Sequence, residues 1–111
     1  MYHDLKWSAS EEKAARKAYD TARDAALAKV MAEFKAKANA VTTPAEMWAV
    51  EDYLRQKGRE IDEMFDYRYS QLPRVFARLI REGYLEENLL EGLAEDKLED
   101  IRRILPHFAK D

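Results

Sequence analysis

Pairs of carboxylates one helical turn apart are the residues in this chain most able to support chemistry. Asp62 and Asp66 form one pair, and Glu82 and Glu86 form another. Such pairs can hold a metal ion or exchange a proton with a substrate. No histidine stands near either pair, and basic residues are interleaved with the acids along the chain. With 22 acidic residues in the chain, this spacing is typical of a solvated helix face.

Other residue types that carry catalysis are scarce. The two histidines, His3 and His107, lie near the chain ends, and there is no cysteine. The sequence has no glycine-rich phosphate loop, no nucleophile paired with a base, and no Glu-x-x-His pattern of the kind found in di-iron helical bundles. We therefore expect a protein that is not an enzyme and binds neither metal nor cofactor. A small helical enzyme or metal binder is the alternative.

The stretch MFDYRYS at 64–70 holds three aromatic residues, an aspartate and an arginine. It could form a catalytic pocket, a surface that stacks nucleic-acid bases, or a structural joint. A formal net charge of −3 argues against phosphate binding. Helical spacing instead predicts a buried stripe at a joint, formed by Phe65, Tyr69, Leu72 and Phe76. We expect Tyr67 and Arg68 to point elsewhere and to pair with acidic residues across the joint.

Trp48 and Asp52 are also one turn apart. A tryptophan beside an aspartate usually contributes packing and one hydrogen bond. At the seam of a helical dimer, the same pair can act as a polar device that fixes the register of the two chains.

Long helices must position these residues. Charged residues make up 37% of the 111 residues and apolar residues 47%, whereas glycine and proline number only three each. A first helix is predicted over about 8–40, because Ser8 and Glu11 fit a capping box and twelve alanines follow between Ala9 and Ala40. Its larger apolar residues recur at three- and four-residue steps: Leu27, Val30, Met31, Phe34, Ala38 and Val41.

A second helix is predicted over about 43–66. Thr43 can cap it, Pro44 suits its first position, and Glu46 would complete a second capping box. Gly58 inside this helix indicates either a bend or a close backbone approach. The apolar residues of this helix are Met47, Trp48, Val50, Tyr53, Leu54, Ile61 and Phe65.

Three shorter helices are predicted over about 70–105. Ser70 could cap the first of them, Pro73 is tolerated in its first turn, and Gly83 suits a left-handed helix end. The segment YLEENLLEGL predicts a short helix that stops at Gly92, and AEDKLEDIRRIL predicts a last helix stopped by Pro106. We expect residues 1–7 and the tail HFAKD to be loose.

The length of the first helix determines the predicted architecture. About 30 residues span roughly 45 Å, whereas a compact domain of about 100 residues has a radius of gyration near 13 Å. The helix must therefore project from the globule, and its apolar stripe then needs a second chain to cover it. We predict one all-α domain over 1–111, with an antiparallel helical stem (about 8–68), a small helical head (about 69–108) and dimerisation through the stem.

Several classes of partner and location are disfavoured. The start of the chain lacks a basic run followed by an apolar core, so it does not fit a secretory signal, and no apolar stretch approaches the roughly 18 residues of a membrane span. We expect a soluble cytoplasmic protein that neither spans a membrane nor binds nucleic acid.

Three segments together resemble the fluorescence recovery protein family of cyanobacteria. They are MWAVEDYL, EIDEMFDYRYSQLPRVFARLIREGYL and LEGLAEDKLEDI, which together run from about Trp48 to Ile101. The resemblance implies an all-helical dimer without cofactor or catalysis. Such a dimer would bind photoactivated orange carotenoid protein, speed its return to the resting orange form and help detach it from the phycobilisome.

The resemblance also implies roles for particular residues. Trp48 and Asp52 would match seam positions linked to activity, and the predicted dimer interface comprises Leu27, Val30, Phe34, Met47, Trp48, Asp52 and Leu54. On the head, Phe76 and Arg78 would shape the region beside the contact face. The predicted partner-binding residues are Arg74, Phe76, Arg78 and Asp100.

Several positions depart from the family pattern. Glu51 stands where a histidine is usual, and Gly58 stands where an arginine is usual, with Arg59 beside it. Arg74 replaces an aromatic residue, and Asp100 replaces a basic one. Since charge complementarity governs recognition, a relative that serves a different, unknown partner is the alternative function.

Overall fold

The computed structural model describes residues 6–108, which form four α-helices and two 3₁₀ helices. In chain order these are α1 (Ala9–Asn39), α2 (Pro44–Met64), α3 (Leu72–Arg81), a first 3₁₀ helix (Glu87–Leu90), α4 (Glu95–Ile104) and a second 3₁₀ helix (Leu105–Phe108). The all-helical prediction is confirmed. No helix within the described part of the chain is both long and apolar enough to span a bilayer.

The start of α1 matches the predicted capping box. Ser8 Oγ accepts from the backbone N–H of Glu11 at 3.2 Å, and the Glu11 carboxylate accepts from the backbone N–H of Ser8 at 2.9 Å. The 31 residues of α1 extend over about 46 Å at 1.5 Å per residue. The longest dimension of the molecule is 53 Å and its radius of gyration is 16.8 Å, so the predicted elongation is confirmed.

The start of α2 is only partly as predicted. Thr43 is the N-cap and its Oγ1 accepts from the backbone N–H of Glu46 at 3.2 Å. The Glu46 carboxylate, however, accepts from the backbone N–H of Thr42 at 2.8 Å instead of that of Thr43, so the second capping box is not formed. The helix continues through Gly58, where an added Cβ would meet nothing within 4 Å, which rules out a close backbone approach there.

Alanines line the inner side of α1. Ala15, Ala18, Ala22 and Ala26 are all 0% exposed and follow helical spacing, so this stripe, and not the larger residues further along, faces the interior. The flat surface lets the head approach closely, since a Cβ placed on Gly92 would lie 2.7 Å from the Cβ of Ala14.

The segment between α2 and α3 is not helical, which corrects the predicted stripe. Phe65 adopts an extended conformation (φ −105°, ψ 93°) and ends α2. The residues at 65, 69, 72 and 76 therefore do not share one helix, and Tyr69 is 38% exposed. The N-cap of α3 is Gln71, and not Ser70, while Pro73 lies in the first turn as predicted.

The head is a small helical core. α3 ends in a Schellman motif, in which Tyr84 N–H donates to Leu79 O at 2.9 Å and Gly83 N–H donates to Ile80 O at 3.0 Å. Gly83 has φ +86°, as its predicted left-handed role requires. The side chains that are largest and most fully buried are Leu72, Phe76, Leu79 and Leu90.

Two predictions about the end of the chain need correction. The segment YLEENLLEGL, predicted as a short fourth helix, is helical only over the four residues of the 3₁₀ helix Glu87–Leu90. The tail was predicted to be loose, but residues 105–108 form a 3₁₀ helix, and Arg81 Nε donates to Phe108 O at 3.0 Å. The rest of the tail lies outside the described residues.

Candidate functional site

Large apolar side chains are exposed along the stem. Trp48 is 61% exposed, Met31 55% and Met47 48%, and Leu27 and Leu54 exceed a third. We call these five residues the stem surface. A concentration of exposed apolar side chains is characteristic of a protein–protein interface.

A shallow groove of about 330 Å³ lies near the tip of the stem. Its walls are apolar except for Glu51, and they come from both stem helices: Phe34, Ala38, Val41, Met47, Val50, Glu51 and Leu54. A groove of this kind on a pair of helices can accept a protruding side chain from a helix of a second chain.

The structure groups some of the predicted interface residues and separates others. Phe34, Met47 and Leu54 line the stem groove together. Leu27 and Trp48 are exposed outside it, and Val30 is half-buried. Met31 is also exposed here, although the predicted interface did not include it; its place in the apolar spacing of α1 was the signal that could have indicated it.

Trp48 and Asp52 make no hydrogen bond with each other. Asp52 is exposed, and its ion pair is with Arg55 on the same helix, at 3.8 Å. Arg55 also binds Glu51 through its guanidinium, and this hydrogen bond lowers the pKa of the Glu51 carboxyl. The exposed Trp48 therefore lies one turn from two exposed carboxylates of α2, Glu51 and Asp52.

A polar contact joins the two stem helices at mid-length. The Tyr53 hydroxyl donates to the Glu33 carboxylate, and the Lys37 ammonium lies 4.9 Å from the centre of the Tyr53 ring. Burial together with the hydrogen bond to Glu33 raises the pKa of Tyr53 to about 12. The hydrogen bond to Glu33 and the contact with Lys37 therefore link the two stem helices at this point.

The aromatic stretch forms a joint between the stem and the head, as predicted. Tyr19 on α1 packs edge-on against Phe65 and Tyr67, with ring centres 5.3 and 4.8 Å apart. Tyr67 and Trp7 each pack on Tyr69. Tyr67 therefore packs inside the joint, and the prediction that it points elsewhere and pairs with an acidic residue is wrong.

Charges complete the joint in a way that the sequence did not indicate. The Arg16 guanidinium lies 4.4 Å from the centre of the Tyr67 ring. Arg68 pairs with Asp66, two residues away, at 2.8 Å, and not with an acid across the joint.

A buried ion pair ties the start of α1 to the head. Glu11 is 6% exposed and Lys97 is 2% exposed, and the Lys97 ammonium lies 3.2 Å from the Glu11 carboxylate. The same carboxylate accepts from the backbone N–H of Ala94 at 2.8 Å. Lys97 also donates to the carbonyl of Lys6 and lies 5.2 Å from the ring centre of Trp7. We call Glu11 and Lys97 the clasp.

The clasp corrects one expectation about the start of the chain. Lys6 and Trp7 were predicted to belong to a loose arm, yet Lys97 holds both against the head; residues 1–5 lie outside the described chain. Burial alone would raise the pKa of Glu11, but hydrogen bonds from Ser8, Ala94 and Lys97 outweigh it and hold the pKa at about 2.

The four residues predicted to bind a partner occupy different environments on the head. Arg74 is exposed, with its guanidinium 5.7 Å from the ring centre of Phe108, and Arg78 is half-buried. Phe76 is 0% exposed, so in this conformation it supports the head from inside. Asp100 pairs with Arg103 one turn along α4.

Within residues 6–108, no three acidic, histidine or cysteine side chains gather as a metal site would require. The features that stand out are a stem with exposed apolar side chains, an aromatic joint and a compact head. They describe an elongated helical protein whose surfaces are suited to binding other proteins.

Comparison with known proteins identifies the family. The sequence model described as photoprotection regulator fluorescence recovery protein matches residues 7–105. The chain therefore belongs to the fluorescence recovery protein family, whose members are photoprotection regulators and are not named as enzymes.

Individual relatives agree with this assignment. The fluorescence recovery protein of Synechocystis sp. strain PCC 6803 is 36% identical over 102 residues, which cover 88% of this chain and 90% of the relative. Its solved structure superposes with a TM-score of 0.87 at 32% identity, covering 91% of this chain and 99% of that one. The Fremyella diplosiphon structure gives 0.85 at 32% identity, covering 89% and 97%.

Proposed function

We propose that this protein is a non-enzymatic regulator that binds photoactivated orange carotenoid protein in the cytoplasm. It accelerates the return of that partner to the resting orange state and promotes its detachment from the phycobilisome. The observation that carries the proposal is the family match across residues 7–105, which takes in the stem, the joint and the head together.

The proposed working form is a homodimer that pairs through the stem surface and the stem groove. Burying an apolar side chain such as Trp48 stabilises association by roughly 25 cal/mol per Å² removed from water. In the single chain Trp48, Met31 and Met47 are exposed to water, so the apolar surface that dimerisation would bury is available. We propose that the chain acts as one domain, with the stem forming the dimer and the head contacting the partner.

The mechanism is selective binding. A protein that binds one conformation of its partner better than another shifts the partner toward that conformation and consumes nothing. On this reading, Arg74 and Arg78 of α3 and Asp100 of α4 contribute to the contact face, and Phe76 maintains the shape of α3 beneath it.

Specific residues favour a second candidate, a family member that acts on a different protein. The exposed Arg74 stands where the resemblance implies an aromatic residue, and Asp100 stands where it implies a basic one. Changes of charge on a contact face alter partner choice more readily than changes in a core.

The deciding experiment follows the dark recovery of photoactivated orange carotenoid protein by its absorbance, with and without this protein. Faster recovery supports the first candidate. Unchanged recovery, with a dimer confirmed by light scattering and helicity confirmed by circular dichroism, removes the first candidate and supports the second. A monomer at micromolar concentration would contradict the proposed assembly in either case.

A further inference from the structure

We propose that the groove between the first 3₁₀ helix and α4 is a second docking site, which takes a basic, partly apolar segment of a partner protein. This head groove has a volume of about 270 Å³. Seven side chains line it: Glu87, Asn88, Leu90, Glu91, Leu98, Ile101 and Arg102. None of them belongs to the stem surface or to the face proposed above.

The floor of the head groove is apolar and belongs to the buried core. Leu90 is 1% exposed and Ile101 is 2% exposed, and both belong to the core that α3 and α4 build. Leu98 is half-buried beside them. A floor anchored in the core keeps its shape without a ligand, so binding need not pay for ordering it.

The rim carries two carboxylates that pair with none of the described residues. Glu87 and Glu91 are exposed, and neither forms an ion pair or a side-chain hydrogen bond with any residue in 6–108. Arg102, the basic residue of the lining, is already bound to Glu95 at 3.0 Å. The groove therefore offers negative charge directly beside apolar surface.

The acidic residues are concentrated in the part of the sequence that forms this groove. The sequence from Glu82 to Asp100 contains eight carboxylates and a single basic residue, whereas the whole chain has a net charge of only −3. That basic residue is Lys97, which is buried in the clasp and cannot neutralise the groove. A basic partner would therefore be drawn to this end of the head.

The chemistry fits a lysine or arginine side chain better than a metal ion. No three carboxylates of the described chain converge as a cation site requires. A long basic side chain can lay its methylenes on the leucine and isoleucine floor while its charge reaches the rim. An aliphatic neighbour in the same segment would use the rest of the floor.

This inference does not depend on which protein the stem and α3 recognise. A suitable probe is a fluorescein-labelled peptide in which leucines alternate with lysines and arginines. Binding is measured by anisotropy, and the site is mapped by chemical-shift changes in the ¹⁵N-labelled protein. We expect saturable binding and shifts centred on the groove lining. A peptide with glutamate in place of the basic residues should not bind.

Matched variants distinguish binding in the head groove from general attraction to the acidic segment. The double variant Glu87→Gln/Glu91→Gln should weaken peptide binding about five- to tenfold, since it removes two exposed ion pairs. The double variant Glu82→Gln/Glu86→Gln removes the same charge from the same acidic segment outside the groove, and it should weaken binding less than about twofold. Leu98→Ala should weaken binding without any change in charge.

Four outcomes would overturn the proposal. Equal losses in the two double variants would show general electrostatic attraction. Shifts centred on the stem groove would place the peptide there, and absence of saturation would exclude a site. Shifts in the head groove that depend on protein concentration without peptide would assign the groove to a second copy of this chain. Each variant must give the same circular dichroism spectrum as the wild type, so that a loss of binding is not caused by unfolding.

Discussion

Glu11 and Lys97 are 86 positions apart in the sequence, yet their side chains meet at 3.2 Å in the interior, where both are almost fully buried. The Glu11 carboxylate also satisfies backbone N–H groups at the start of α1 and just before α4. One side chain therefore caps a stem helix and fixes the head against it. Replacing such a pair by apolar residues is often neutral for stability, whereas removing one partner leaves an uncompensated buried charge.

Removing one partner of the clasp should destabilise the fold strongly. Lys97→Met leaves the Glu11 carboxylate buried without its counter-ion, and we expect a loss of about 3 to 5 kcal/mol in the free energy of unfolding. Urea denaturation followed by circular dichroism measures it. Arg102→Met, which breaks the exposed pair with Glu95, is the matched control and should cost less than about 1 kcal/mol. Similar unfolding midpoints for the two variants would show that the clasp is not a buried pair in solution.

The clasp should also make stability depend on pH in the acidic range. The folded state lowers the pKa of Glu11 from 4.5 to about 2. A depressed pKa gives a contribution that is complete above the unfolded value and disappears as the pH falls toward the folded value. The stability difference between the wild type and Glu11→Gln should therefore shrink from pH 5 to pH 2. A difference that stays constant over this range would contradict an ionised Glu11 in the folded state.

Local signals made some elements predictable. The capping box at Ser8 and the left-handed glycine at Gly83 each involve residues within a few positions, so their hydrogen bonds can be inferred from the sequence. The length of α1 was predictable because its alanine-rich sequence contains no residue that interrupts a helix. The same length indicated an elongated stem with a small head, and the all-helical fold agrees with the solved structures of relatives.

Features that depend on distant contacts were not predictable. Lys97 occupies a stretch of charged residues that looks solvated, and only the fold reveals Glu11 beside it. The larger apolar residues of α1 marked the face expected to meet a second chain, but nothing in the sequence distinguished the alanines that form the buried stripe. The helical period was also extended through 65–71, although Phe65 leaves the helix and the aromatic rings pack with Tyr19 instead. The predicted dimer and head residues remain to be tested.

Replacing each of two glycines by alanine should change the stability of the protein in opposite directions. Gly92→Ala places a Cβ 2.7 Å from the Cβ of Ala14, in a contact between the head and α1. We expect a loss of about 1 to 3 kcal/mol, as is typical of overpacking. Adding Ala14→Gly should restore part of it. Gly58→Ala meets open space inside α2 and should stabilise the protein by up to about 1 kcal/mol. Thermal unfolding that shows a loss at both positions would contradict this account.

Phe76 should influence partner recognition only through packing. It is 0% exposed, so Phe76→Ala would leave a cavity and cost about 3 to 5 kcal/mol. Phe76→Leu retains most of the volume and should preserve both the fold and any activity on the partner. Arg74→Glu, an exposed change, should leave stability within about 0.5 kcal/mol while altering partner binding. Lost activity in a fully stable Phe76→Leu variant would instead indicate direct contact after a conformational change.

A charge on the stem surface should dissociate the proposed dimer without unfolding the chain. Trp48 is 61% exposed in the single chain, so Trp48→Glu removes no core contact but places a carboxylate where a second chain would pack. We expect a monomer by analytical ultracentrifugation, with unchanged helicity by circular dichroism. Ser10→Glu is the matched control, since it adds the same charge to an exposed position in the first turn of α1, away from the stem surface, and should remain dimeric. If Trp48→Glu stays dimeric at submicromolar concentration, the chains pair through another face. If Ser10→Glu also dissociates, net charge and not the stem surface controls the assembly.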